Sequence, residues 1–231
     1  MNSKLLKVLL VSILFISMLI PVSLDSADAA SVNTQKSRVT YTLKDSAGKK
    51  YTVYVIPTSE KKAKASYDSN DGWSSVWAGA SSGDTLYKGN YKLYLKKSGA
   101  KSVSYTGLQL KDYTYNASQK MIYSIPARYK GQQDLMVVAE TESSNFESGD
   151  LYYVYKGKLK KAKSEFFYTL RPQNIGKNSF RTTGYNNANG KWYTRDYKLN
   201  LSSGKLTETQ LLVKRYNDMD KFVKSWRKDW K

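Results

Sequence analysis

Arg38-Val39-Thr40-Tyr41-Thr42-Leu43-Lys44, then Asp45-Ser46-Ala47-Gly48, then Lys50-Tyr51-Thr52-Val53-Tyr54-Val55-Ile56: this stretch decides the fold class. Apolar or aromatic side chains recur with a period of two, the period of a strand. Val39, Tyr41 and Leu43 share one face. After the turn, Tyr51, Val53 and Val55 share a face, opposite Thr52, Tyr54 and Ile56. The linking Asp45-Ser46-Ala47-Gly48 is turn chemistry: the aspartate bonds its own backbone and the glycine takes a positive φ. The segment predicts an antiparallel hairpin closed by Pro57. Both faces of the second strand carry apolar groups, so it is expected to lie between two layers.

Working outward, the pattern repeats. Thr58 to Asn70 reads as a polar connection, and Asp68-Ser69-Asn70-Asp71-Gly72 as a turn rather than a calcium loop, because no glutamate closes the motif. Asn90 to Leu95, Ser102 to Tyr105, Leu108 to Leu110, Met121 to Ile125, Leu135 to Val138 and Leu151 to Tyr155 read as strands. So do Phe166 to Leu170, Ser179 to Tyr185, Lys191 to Thr194 and Tyr197 to Leu201, the last in a hairpin with Leu206. A weak internal repeat is present. Tyr91-Lys92-Leu93-Tyr94-Leu95 before Lys-Ser-Gly resembles Tyr197-Lys198-Leu199-Asn200-Leu201 before Ser-Gly, with a shorter echo at Tyr155-Lys156-Gly157-Lys158-Leu159. Ser82-Gly83-Asp84 and Ser148-Gly149-Asp150 also recur. The expected fold is mainly β: antiparallel sheets of many short strands and hairpins, as a meander, sandwich or irregular propeller-like assembly, over residues 38–206. The unequal intervals favour the plainer antiparallel assembly.

Near the end the period changes. Leu212, Tyr216, Met219, Val223, Trp226 and Trp230 form a stripe at helical spacing, and Thr207 with Gln210 has the spacing of a capping box. Residues 207–231 are therefore expected to be a C-terminal amphipathic α-helix packed on the β domain. Asp218, Asp220 and Asp229 interrupt its basic face, which makes contact with a membrane surface the less favoured alternative.

At the other end, Lys4 and Lys7 precede an apolar run broken at Pro21, and Ala27-Asp28-Ala29 offers small residues to a peptidase. Residues 1–29 read as a cleaved signal peptide, with cleavage after Ala29 or alternatively Ala30, followed by a flexible segment over 30–37. No cysteine follows the run, so no lipobox is present. The expected location is secreted or extracellular, with the cell wall as a place of retention.

The chain has 38 basic and 19 acidic residues, a net charge of +19, and no histidine or cysteine. The loss of residues 1–29 removes two charges of each sign and leaves that balance. Without cysteine there are no disulfide partners, and the composition fits a Gram-positive exoprotein. Without histidine, Ser-His and Cys-His nucleophile pairs are excluded, as is the commonest zinc ligand. Ser-x-x-Lys pairs occur, as at Ser46/Lys49 and Ser98/Lys101, but the Ser-Asp-Asn and Lys-Thr-Gly strings that would make them catalytic do not. Neither a cofactor nor a metal site is expected.

What remains is attraction. Lys156, Lys158, Lys160, Lys161 and Lys163 fall within eight residues and form the candidate anion-binding set. Trp73 and Trp77 are candidates for stacking on sugar rings. The expected function is a secreted, non-catalytic, cell-surface or wall-associated binding protein for anionic polymer or polysaccharide; nucleic acid is not an expected partner for an exported chain. One alternative is a carboxylate-based extracellular glycan hydrolase using Glu140 and Glu142, which would share a strand face. Another is a secreted inhibitor or immunity-type protein.

Overall fold

The computed structural model describes residues 32–77 and 79–215. The expected signal peptide over 1–29 and the sequence stripe from Tyr216 to Trp230 lie outside these residues. Three antiparallel sheets follow one another along the chain. The first contains β1 (Val39–Lys44), β2 (Lys50–Lys64), β3 (Thr85–Lys97) and β4 (Ser104–Asn116), in that order. The second contains β5 (Ile122–Ile125), β6 (Leu135–Ser143), β7 (Phe146–Tyr155) and β8 (Lys158–Lys161), with the short β9 (Phe166–Tyr168) also paired to β7. The third contains β10 (Leu170–Gly176), β11 (Ser179–Asn186), β12 (Lys191–Leu199) and β13 (Leu206–Arg215). Spatial order follows chain order, so each sheet is an up-and-down meander. Among the described residues helix is limited to two 3-10 turns, Thr34–Lys36 and Gly72–Ser74. No helix among them is long and apolar enough to cross a membrane.

The faint sequence repeat has a structural counterpart. Tyr91 lies in β3, Tyr155 in β7 and Tyr197 in β12, and each of these is the third strand of its meander. Each echo therefore marks the same place, where the third strand approaches its glycine turn into the fourth.

One apolar core joins the three sheets. It includes Leu43, Val53 and Leu93 from the first, Val137, Leu151 and Tyr153 from the second, and Phe180 and Leu199 from the third. Buried and half-buried phenols also tie sheets through backbone oxygens. Tyr41 Oη donates to Ile122 O at 2.9 Å, Tyr113 Oη to Ala139 O at 2.8 Å, and Tyr153 Oη to Leu201 O at 3.0 Å. Each bond lets a large ring fill the interior while its polar end is satisfied.

The structure corrects several expectations. The strands covered on both faces are β6 and β7, where Leu135–Ala139 and Leu151–Val154 are buried without alternation; on β2, Thr52 and Tyr54 remain half-buried. Pro57 does not close β2. It lies beyond Val55, the last residue paired to β1, and at a bulge opposite β3, so its missing N–H breaks no ladder bond. Pro172 continues β10 for the same reason: β10 is an edge strand with a register shift at that point. The segment 30–37 includes a 3-10 turn capped by Asn33, and Ser37 Oγ accepts from Val55 N at 3.0 Å, so its described part is tied to β2.

The helix expected from Thr207 is not formed over residues 207–215. Leu206 to Arg215 is strand β13, paired along its length with β12. Leu212, counted above as the first residue of the helical stripe, lies opposite Thr194. The exposed N–H and C=O row of β12 is a template that local periodicity does not register, and Thr207, Thr209 and Val213 suit a pleated chain.

Candidate functional site

Three hairpin turns meet at one end of the first sheet. In the β1–β2 turn, Asp45 Oδ1 accepts from Ala47 N and Lys49 N, both at 2.9 Å, and Gly48 takes φ +79°, which fixes the point from which Lys49 departs. In the β3–β4 turn, Ala100 N donates to Lys97 O at 3.0 Å around Gly99. The third turn comes from the second sheet. Lys156 and Gly157 link β7 to β8 with φ of +49° and +77°, the mirror-image turn that matches strand twist.

These turns enclose an open hollow of about 420 Å³, lined by Lys49, Lys97 and Lys156, with Asp45, Tyr51, Ser102 and Ser104 among its polar groups. Three ammonium groups stand against one carboxylate, and that carboxylate is already engaged by two backbone N–H groups. Burial, with the Asp45 charge added, holds the Tyr51 phenol above its ordinary value, so it remains a hydroxyl donor. Chemically the hollow can receive phosphate or carboxylate groups. Lysine serves as a flexible point charge there, without the planar selectivity of arginine.

The five lysines read from the sequence do not act as one cluster. Lys156 enters the hollow. Lys156 and Lys160 both approach the Tyr155 ring, at 5.5 and 5.2 Å, while Lys160 Nζ donates to Ser202 O at 3.0 Å. Lys161 pairs with Asp150 at 2.5 Å. Lys158 and Lys163 are exposed. The alternation of β8 separates neighbours in sequence onto opposite faces. Lys49 and Lys97 were not read from the sequence as anion-binding; the available signal was that each stands beside the glycine turn of a hairpin.

A second basic hollow, of about 460 Å³, lies between β1, β5 and β10. Lys120, Arg128 and Arg171 line it, with Tyr41 and Tyr123. Arg171 lies 4.3 Å from the Tyr123 ring centre and donates to Gln119 O at 2.6 Å.

The tryptophans separate. Trp73 packs on the small cluster of Ala65, Ala80 and Leu86, whereas Trp77 is 42% exposed. Trp77 lines a hollow of about 160 Å³ together with Glu140, Asp112 and Asn116. Glu140 stands opposite Ser148 on β6, and Glu142 falls at the register shift between Thr141 and Ser143. Glu140 is exposed as a residue, yet partial desolvation of its carboxyl raises it above the usual range, with Asp150, Glu142 and Glu165 adding to the effect. Glu142 Oε1 instead accepts from Ser148 Oγ at 2.7 Å. The Asp68–Gly72 turn is knit by serine hydroxyls, with Asp68 N on Ser66 Oγ and Asp71 N on Ser69 Oγ. Among the described residues no three acids are grouped to hold a metal ion. No protein-family model matches this chain, and neither a curated protein nor a solved structure matches it at a significant level.

Proposed function

We propose that this chain is an exported, non-catalytic protein that attaches to an anionic polymer or polysaccharide at the cell surface. The observation that carries the reading is the sign of charge around its hollows. Those of about 420 and 460 Å³ are lined by lysine and arginine, while the one that holds Glu140 is about 160 Å³. Small-molecule sites usually begin at about 300 Å³, so the acidic hollow is a poor fit to a sugar substrate. Export rests on residues 1–29. A net charge of +19 supplies long-range attraction to teichoic acid, acidic polysaccharide or phospholipid headgroups.

The test is retention of the chain from Ala30 onward on cell walls that carry teichoic acid, with salt raised in steps. Screening shortens from about 10 Å at 0.1 M to about 3 Å at 1 M. Elution at moderate salt is expected, earlier for Lys97→Ala/Lys156→Ala than for the wild type. Binding indifferent to salt, or absent at low salt, refutes the proposal.

A second reading has one observation in its favour: Glu140, with its raised carboxyl, and the exposed Trp77 line the same hollow. A glycan hydrolase would need a second carboxylate beside Glu140, and Asp112 rather than Glu142 lines the same hollow. Wall-glycan turnover that disappears in Glu140→Gln would establish it.

A further inference from the structure

The outer face of the first sheet carries an aromatic row that the lysine hollow does not use. Antiparallel register places Tyr54 of β2 opposite Tyr94 of β3, and Tyr94 opposite Tyr105 of β4. Neighbouring strands are about 4.8 Å apart, so the three phenols succeed one another across the sheet. Extra residues on β4 make this register. Thr106 Oγ1 bonds Leu93 O at 2.7 Å and Gly107 takes φ +79°, which brings Tyr105 opposite Tyr94. Tyr94 and Tyr105 have ring centres 5.5 Å apart and planes inclined at 50°, the two walls of a shallow trough. Lys92 Nζ lies 5.3 Å from the Tyr105 ring centre, and Gln109 Nε2 donates to Tyr105 Oη at 2.8 Å. Lys92 and Lys96 stand on either side of Tyr94 on the same strand face.

This row does little for the core. Tyr105 is 40% exposed, and Tyr54 and Tyr94 are half-buried, whereas Tyr51, Leu93 and Leu95 on the opposite face are buried. Phenol faces accept the C–H face of a sugar ring, phenol hydroxyls and the Gln109 amide suit its hydroxyl edge, and the two lysines suit acid groups. No arginine stands in the row to stack on nucleobases, which favours a glycan over a single-stranded nucleic acid.

We propose that the Tyr54–Tyr94–Tyr105 row is a binding trough for an acidic glycan chain, which crosses the strands with sugar rings on the phenols and carboxylates beside Lys92 and Lys96. It rests on the polyanion reading for attraction, and adds ring contact as the source of selectivity.

The experiment measures affinities of the chain from Ala30 for three probes at one low ionic strength: polygalacturonate, linear inorganic polyphosphate and an oligothymidylate. The variants are Tyr94→Ser/Tyr105→Ser, Tyr105→Ser alone in case the pair unfolds, and Lys97→Ala/Lys156→Ala. The tyrosine pair is expected to weaken polygalacturonate binding by roughly tenfold, as loss of aromatic stacking does, and Tyr105→Ser by a smaller factor in the same direction. Both leave polyphosphate, which has no rings, within twofold. The lysine variant weakens both acidic polymers. Polygalacturonate affinity indifferent to the tyrosines overturns the trough, as does oligothymidylate affinity that falls more than that for polygalacturonate. Failure of the wild type to bind polyphosphate overturns instead the general polyanion reading.

Discussion

Phe166→Ala tests whether the three meanders share one core. Phe166 is fully buried in β9, attached to the second sheet. Its ring lies 5.2 Å from that of Phe180 and 6.4 Å from that of Tyr197, both in the third sheet, and 5.5 Å from that of Tyr168. It also packs against Gly149, where an added Cβ would stand 2.8 Å from Phe166 Cζ, so the floor beneath the ring is backbone and cannot collapse inward by rotating a side chain. The cavity should therefore persist, and truncation should cost about 3–5 kcal/mol. For a domain of this size that lowers the melting temperature by about 6–20 °C. Urea denaturation followed by far-UV circular dichroism and by fluorescence of the buried Trp192 in the third sheet, in a background where Trp73, Trp77, Trp226 and Trp230 are replaced by Phe so that Trp192 is the sole indole, measures it. Both signals should keep a common midpoint and move together. A loss below about 1 kcal/mol, or a third sheet that melts apart from the rest in the wild type, would refute the single-core description.

Two further predictions separate stability from binding and from pH. Lys156 holds φ +49°, so Lys156→Asn, which makes an Asn-Gly turn, should raise stability by up to about 1 kcal/mol while it weakens polyphosphate binding; a thermal melt and one titration check both. Burial raises the Glu147 carboxyl, partly offset by the Tyr168 hydroxyl and Arg171. Its stability contribution is thus fully present below the unfolded carboxylate pKa and is lost as pH rises through the higher folded value. Glu147→Gln should therefore be more stable than the wild type at pH 7, with the gain vanishing below pH about 4; an equal gain at both pH values in urea midpoints would count against this origin.

Much of the fold was legible because its strands announce themselves locally. The β1–β2 hairpin turns where alternation and Asp45–Gly48 place it, and the Tyr155–Leu159 echo marks a real turn. A proline misled: Pro57 reads as a strand end, yet it stands where no partner needs its N–H. The site was less legible. Five clustered lysines were visible, but only Lys156 enters the hollow, because two of its three cations come from turns that precede it by more than fifty residues. Trp73 and Trp77, four apart in sequence, separate into packing and exposure for the same reason.

The sequence by itself determined the strand period, the places of the glycine turns, the excess of positive charge and the lack of histidine and cysteine. These are properties of neighbours along the chain or of composition, and no folding is needed to read them. The tertiary structure alone decided that Leu206–Arg215 pairs with β12, that Lys49, Lys97 and Lys156 face one hollow, and that three tyrosines line up across β2, β3 and β4. Each of these is a long-range pairing. A strand's free hydrogen-bonding edge and the register of a distant hairpin act through space, where local periodicity carries no information.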